Sequence, residues 1–231
     1  MTNVAVILAR GGSKGIPKKN LSDFCGKPLI SWTIEQALST RAIDSVWVSS
    51  DDSEILSLSR KYNVGEIKRP EDLSNDNASS EAGWLHALDF LDNHKVAVKN
   101  LVAPQCTSPV RSSSDFEGAL AKFSEDDLDS LFSATKITDF NLWRTPNNGQ
   151  LQSFTYDYQQ RGRRQEKPDQ YLENGSFWIF RPEIIRSHKN RLGGKMGIWL
   201  MDFWKSFQID EPEDIQFCKV LMQRYLLDER R

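Results

Sequence analysis

Between residues 10 and 19 the chain sets Gly11, Gly12 and Gly15 among Arg10, Lys14, Lys18 and Lys19. Glycines let backbone N–H groups approach an anion closely, and the cations neutralise it. So many cations beside glycines repel one another unless an anion joins them. The loop follows Val4-Ala5-Val6-Ile7-Leu8-Ala9, an apolar, β-branched run that reads as a strand buried on both faces. An apolar strand emptying into a basic glycine loop suits a nucleoside triphosphate at the carboxyl edge of an α/β sheet. The two common glycine-loop patterns do not fit. A G-x-x-x-x-G-K-[ST] loop needs its lysine later than Lys14 and a helix where Ile16-Pro17 stands, and G-x-G-x-x-G is absent.

Other polar stretches follow apolar ones in the same way. Ser45–Ser50 predicts a second strand, ending at Asp51-Asp52 before a helix carrying Ile55, Leu56 and Leu58. Asp51 is expected to cap that helix, with a metal role as the alternative. A short strand over 64–68 leads into the polar loop 69–80, and Ser79 or Ser80 starts the helix of Trp84, Leu85, Leu88 and Leu91. The strand Asn100–Ala103 runs into Gln105, Thr107 and Arg111, polar groups where α/β folds place ligand contacts. Ser114 with Glu117 predicts a capping box, and Leu131–Ala134 a further strand. Residues 138–172 are polar and aromatic without a clear period, and read as an excursion from the main sheet with Arg161, Arg163 and Arg164 in its middle. Asn174–Phe180 returns as a strand. A last strand is expected to end at Asp210, with Asp210 and Glu213 capping a terminal helix that turns Ile215, Val220 and Leu221 inward.

A chain of 231 residues is long enough for one α/β domain with a sizeable core. The net charge of −2 argues against a dedicated nucleic-acid binder, so the basic loop is a local feature. Cys25, Cys106 and Cys218 are scattered, with neither metal spacing nor a disulfide framework, which suits a reducing cytoplasm. No run approaches the ~20 apolar residues of a membrane span, and no signal segment is expected.

The motifs taken together resemble those of the CMP-N-acylneuraminate synthetases (acylneuraminate cytidylyltransferases), in particular the animal-type enzymes. They are L-A-R-G-G-S-K-G-I-P-K-K-N at 8–20, V-S-S-D-D at 48–52, R-P-x-x-L-x-x-D-x-A-S-S at 69–80, Q-x-T-S-P at 105–109, R-x-R-R-Q with E-N-G-S-F over 161–177, G-G-K-M at 193–196 and a late I-D. The resemblance implies a three-layer, Rossmann-like α/β fold of the nucleotide-diphospho-sugar transferases, with a mainly parallel sheet. It implies a single cytidylyltransferase domain over 1–231, with 138–172 as a dimerisation and active-site excursion of a homodimer. It also implies CMP transfer from CTP to the anomeric hydroxyl of a sialic-type nonulosonic acid, releasing pyrophosphate, with magnesium.

Carried over residue by residue, Ala9, Arg10, Gly11, Gly12, Ser13, Lys14, Lys19, Asn20, Arg69, Ala78 and Ser80 match CTP-binding positions. Gln105, Thr107, Arg161, Arg164 and Asn174 match the sugar side. Arg10, Lys14, Arg161, Arg164 and Asp210 match catalytic positions, and Asp210 the metal ligand. His86, His94 and His188 lie outside every motif, so no protein general base is expected. Two positions depart from the pattern. The family usually ends D-I-D where this chain has Gln208-Ile209-Asp210, and a glutamine offers a carbonyl oxygen without charge, which weakens a cation site. Some bacterial relatives have arginine where this chain has Leu172. The acceptor therefore stays open among N-acylneuraminate, legionaminate, pseudaminate, Kdn and Kdo, and a CTP-binding protein without catalysis is the rival from another class.

Overall fold

The computed structural model describes residues 2–13, 15–138, 140–146, 149–163, 165 and 168–228. The opening apolar run forms the expected strand, β1 (Asn3–Leu8). Two short strands, β2 (Asp23–Phe24) and β3 (Lys27–Pro28), lead into α1 (Leu29–Leu38). Then come β4 (Ser45–Ser50), α2 (Ser53–Lys61), β5 (Gly65–Lys68), α3 (Ser80–Asn93) and β6 (Asn100–Pro104). The chain continues through α4 (Ser113–Glu125), β7 (Ser130–Ile137), a small hairpin of β8 (Trp143–Arg144) and β9 (Gln152–Ser153), and the long β10 (Gln170–Phe180). It ends with α5 (Pro182–His188), β11 (Met196–Leu200) and α6 (Pro212–Met222).

Seven strands make the main sheet in the order β11-β7-β10-β6-β1-β4-β5. All neighbours pair parallel except β10, which runs antiparallel to both β6 and β7. The sheet is covered on both faces, which is why its strands read as continuous apolar runs. Ala5 and Ile7 of β1 point to one face with Ile30 and Ile34 of α1 and Phe116 of α4. Val4 and Val6 point to the other, with Trp84 and Leu88 of α3 and Ile185 of α5. A third cluster joins α6, through Cys218 and Met222, to Ile16, Phe24 and Ile209. Among the described residues, no helix is long and apolar enough to cross a membrane.

Several expected details move. The cap of α2 is Asp52, whose Oδ1 accepts from Glu54 N at 2.7 Å; Asp51 instead accepts from Gly11 N at 3.1 Å. Ser79, in extended backbone, caps α3, because Ser80 is already helical. The box on α4 is Ser112 with Asp115, and Glu117 turns away to accept from the backbone of Arg41 and Ala42. On α6 the box is Glu211 with Asp214 rather than Asp210 with Glu213, and Val220 faces solvent at 61% exposure while Cys218 and Met222 turn inward. No strand ends at Asp210. The segment before it docks on the loop after β6, with Ile209 N donating to Thr107 O at 2.7 Å, and β11 takes the sheet edge beside β7. The returning strand starts at Gln170, four residues before Asn174, and shifts register between Glu173 and Trp178.

Candidate functional site

A cleft of about 510 Å³ opens where β1 and β6 end, and four stretches of sequence line it together with Trp178 and Arg191. The first is the glycine loop. Ala9 is buried and tied to β4 by Ala9 N donating to Ser49 O at 3.0 Å. The buried Asn20 folds the loop back on itself by donating from Nδ2 to Arg10 O at 3.0 Å. Arg10, Ser13, Gly15, Lys19 and Asn20 line the cleft. Gly11 anchors the loop on Asp51, Gly12 is exposed, and Lys18 turns outward to Glu54 at 2.6 Å. Lys14 lies outside the described residues.

The second stretch is the loop before α3. Arg69 is buried, donates from Nε to Ser74 Oγ at 2.9 Å and lies 4.0 Å from Asp51. Burial lowers its pKa, which the Asp51 carboxylate partly offsets and nearby Arg10 reinforces. Asp76 reaches over to Arg10 Nη1 at 2.8 Å, and Ala78, Ser79 and Ser80 complete this wall.

The third stretch follows β6, where Gln105 and Thr107 face the cleft. Gln105 Nε2 donates to Thr107 Oγ1 at 2.7 Å and to Gln208 Oε1 at 3.0 Å. Gln208 Nε2 in turn donates to Asn174 O at 2.9 Å. Under this loop lies Arg111, 1% exposed, whose Nη1 donates to the carbonyls of Gln105, Ser108 and Ser176 and whose Nη2 donates to Thr33 Oγ1. Burial pushes its pKa down to about 10, so it keeps its charge at neutral pH.

The fourth stretch is Ile209, Asp210 and Glu211. Lys19 Nζ donates to Ile209 O at 2.8 Å and to Asp210 Oδ1 at 3.0 Å, which joins the two ends of the chain. A Cβ on Gly15 would stand 2.4 Å from Asp210 O, so only glycine allows this approach. The described residues hold no cluster of three or more acidic, His or Cys side chains fit to be a metal cage. Asp210 is one exposed carboxylate beside the phosphate-seeking cations, and magnesium that arrives with a nucleotide needs only one or two such ligands. Gln208 spends both ends of its amide on Gln105 and Asn174, so it is not offered to a cation.

The cleft thus brings together Arg10, Ser13, Lys19, Asn20, Arg69, Ala78, Ser80, Gln105, Thr107 and Asp210. It does not bring in Arg161, which is exposed on the excursion, or Asn174. The Asn174 side chain is buried, with Oδ1 accepting from Ser133 Oγ at 2.6 Å and from Ser176 N at 3.1 Å. Arg164 lies outside the described residues. Two arginines of the site are missing from the positions carried over by resemblance. Arg111 had a signal, the T-S-P-V-R run. Arg191 had none: it lines the cleft from the turn after α5, and its partners are Glu81, Trp84 and Trp178.

The model of the cytidylyltransferase family matches residues 4–230. A pseudaminic acid cytidylyltransferase of Campylobacter jejuni is 31% identical over 96% of each chain. An N-acylneuraminate cytidylyltransferase of Oncorhynchus mykiss is 31% identical over 96% of this chain, which spans 50% of that longer protein. Among solved structures, a CMP:2-keto-3-deoxy-manno-octonic acid synthetase complexed with CTP superposes with a TM-score of 0.71 at 18% identity, covering 98% of this chain and 100% of that one. That likeness confirms the expected α/β fold.

Proposed function

The chain belongs to the cytidylyltransferase family, and from that premise we propose that it transfers CMP from CTP to the anomeric hydroxyl of a nonulosonic acid. The observation that carries this reading is the convergence of Arg10, Lys19, Arg69, Gln105 and Asp210 on one cleft, together with relatives named for pseudaminic acid and for N-acylneuraminate. Both sugar acids suit the reading equally well.

In the proposed reaction the anomeric oxygen forms a bond to the α-phosphorus while the bond to the β-phosphate oxygen breaks. Pyrophosphate leaves, and the hydroxyl proton passes to solvent. Arg10, Lys19 and the backbone N–H groups of Gly12 and Ser13 hold the triphosphate and stabilise charge growing on the pyrophosphate. Arg69, Ala78 and Ser80 hold the nucleoside, and Gln105 and Thr107 orient the acceptor. Asp210 would hold magnesium, which when bound supplies positive charge to the phosphates. The exposed excursion suits an arm that carries Arg161 and Arg164 to the cleft of a second copy, where a guanidinium meets the sugar carboxylate. The three free thiols suit a reducing cytoplasm.

The test is pyrophosphate release from CTP with N-acetylneuraminate, pseudaminate, legionaminate and Kdn in parallel, with and without magnesium. Release that depends on both sugar and metal is expected. CTP binding without release for any sugar would replace the reading with that of a CTP-binding protein.

A further inference from the structure

Arg191 is built into the cleft wall in a way that the proposed reaction does not yet use. Its guanidinium carbon lies 4.6 Å from the ring centroid of Trp84 and 4.4 Å from that of Trp178. Its Nε donates to Glu81 Oε1 at 2.8 Å, and the two side chains are 20% and 19% exposed. Two indoles and a carboxylate therefore fix the plane and the direction of the guanidinium. Among the described residues, Nη1 and Nη2 have no protein acceptor, although Arg191 lines the cleft. A part-buried guanidinium held rigid with its terminal donors unspent is preorganised for a ligand acceptor.

The surroundings narrow the ligand chemistry. Glu81 offsets the charge of Arg191, so the pair offers directional donors with little net charge. The side chains against the guanidinium are the indoles of Trp84 and Trp178, and Leu8 adds apolar lining to the same cleft. Trp178 pairs with Ala103 on β6, two residues before Gln105, while Glu81 and Trp84 follow Ser80 on α3, so Arg191 stands where the Gln105 side of the cleft meets the α3 wall. A neutral carbonyl oxygen carried next to a small alkyl group satisfies both donors and lining. On a nonulosonic acid an acylamino substituent has that form.

We infer that Arg191, held by Glu81, Trp84 and Trp178, is a specificity-determining residue that donates to the carbonyl of an acylamino group on the sugar acid. This rests on the reading of the chain as a nonulosonate cytidylyltransferase. The experiment compares wild type, Arg191→Ala and Arg191→Gln, the latter keeping a polar stem in case the alanine variant misfolds. The KM is measured at saturating CTP for N-acetylneuraminate and pseudaminate, which bear acylamino groups, and for Kdn, which has a hydroxyl where N-acetylneuraminate has its acetamido group. Loss of a charge-assisted hydrogen bond is expected to raise the KM for the acylamino acids about tenfold. The KM values for Kdn and for CTP should stay within about twofold of wild type. An equal rise for Kdn would make Arg191 a packing residue, and no change would remove it from recognition; either overturns the inference. Absence of turnover by wild type with every sugar would refute the cytidylyltransferase reading instead. Calorimetric binding of the same acids in the presence of CTP would then decide Arg191 by the same comparison, and no binding of any acid would overturn the inference as well.

Discussion

Gln208→Asp installs the aspartate that the resemblance leads one to expect at that position, and the geometry predicts that the change will cost more than it gives. The Gln208 amide bridges two parts of the cleft wall, accepting from Gln105 Nε2 at 3.0 Å and donating to Asn174 O at 2.9 Å. It lies directly over Gly175, which has a φ of +64° and where a Cβ would stand 2.4 Å from Gln208 Nε2. Aspartate is shorter by one carbon–carbon bond, roughly 1.5 Å, and carries no donor. It therefore loses the bond to Asn174 and withdraws from Gln105. Two part-buried hydrogen bonds at about 1 kcal/mol each give a loss near 2 kcal/mol. For a chain of this length that is a fall in Tm of about 4–8 °C.

Gln105 Nε2 keeps Thr107 Oγ1 as an acceptor but loses Gln208, one of the two bonds that hold its amide, so the KM for the sugar acid should rise while that for CTP holds. The added carboxylate should lower the magnesium concentration needed for half-maximal release. Gln208→Glu is the control, because it keeps the length and the acceptor for Gln105 while facing Asn174 O with a second acceptor. Thermal melts and pyrophosphate release titrated with sugar and with magnesium read the three effects separately. An aspartate variant with unchanged Tm and unchanged sugar KM would refute the claim that Gln208 positions Gln105.

Two further predictions concern the support of the cleft. Lys205 Nζ lies 2.9 Å from both Asp115 oxygens, with side chains 11% and 7% exposed, so Lys205→Met leaves a buried carboxylate without its counter-charge, held among the described residues only by Ser112, and should cost about 3 kcal/mol in urea unfolding. An added Asp115→Asn that recovers none of that loss would show the pair is not its source. Burial pushes the Cys106 and Cys218 thiols up to about 12 from 9.0, so between those values the folded state binds more protons than the unfolded one. Their contribution is complete below about pH 9 and is lost as pH rises towards 12, by about 1 kcal/mol per thiol at pH 10. Urea midpoints from pH 8 to 10 should fall more steeply for wild type than for the double Cys106→Ala, Cys218→Ala variant, and equal slopes would contradict the assignment.

The sequence carried the fold well where a single physical signal dominated. β1 and β6 read correctly because strands covered on both faces are apolar along their middles, and β4 by the Val46-Trp47-Val48 run among its serines. Capping signals were read one or two residues off, because Asp51-Asp52, Ser79-Ser80 and Ser112-Ser113-Ser114 each offer several oxygens, and the cap is the residue whose backbone stays extended. β11 escaped because it is a short strand at the sheet edge, where Met196-Gly197-Ile198-Trp199-Leu200 has no clean alternation of burial. The glycine loop announced its own anion chemistry. The Gln105–Gln208 bridge, spanning 103 positions, and the seat of Arg191 between helix and strand are tertiary pairings that no local pattern encodes.

Arg111 explains how so polar a cleft can sit on a buried sheet. The loop after β6 and the irregular stretch of β10 both leave the regular ladder, so their carbonyls need other donors. Arg111 supplies three of these bonds from one nitrogen, at 2.9 Å to Gln105, 2.6 Å to Ser108 and 3.1 Å to Ser176. Burying a guanidinium is costly, as its lowered pKa records, and among the described residues no carboxylate oxygen lies within 4.0 Å to neutralise it. A neutral side chain could not make as many bonds, and a paired one would bring a carboxylate under a cleft meant for anions. An unpaired arginine satisfies the carbonyls and leaves its positive charge beneath the cleft floor, where low dielectric lets that charge act on a polyanionic ligand. Lys19 also ties backbone at the rim, donating to the Ile209 carbonyl, but there it stands 3.0 Å from Asp210. The cations that hold the four stretches together are therefore part of the field that favours a triphosphate, and site architecture and site electrostatics come from the same side chains.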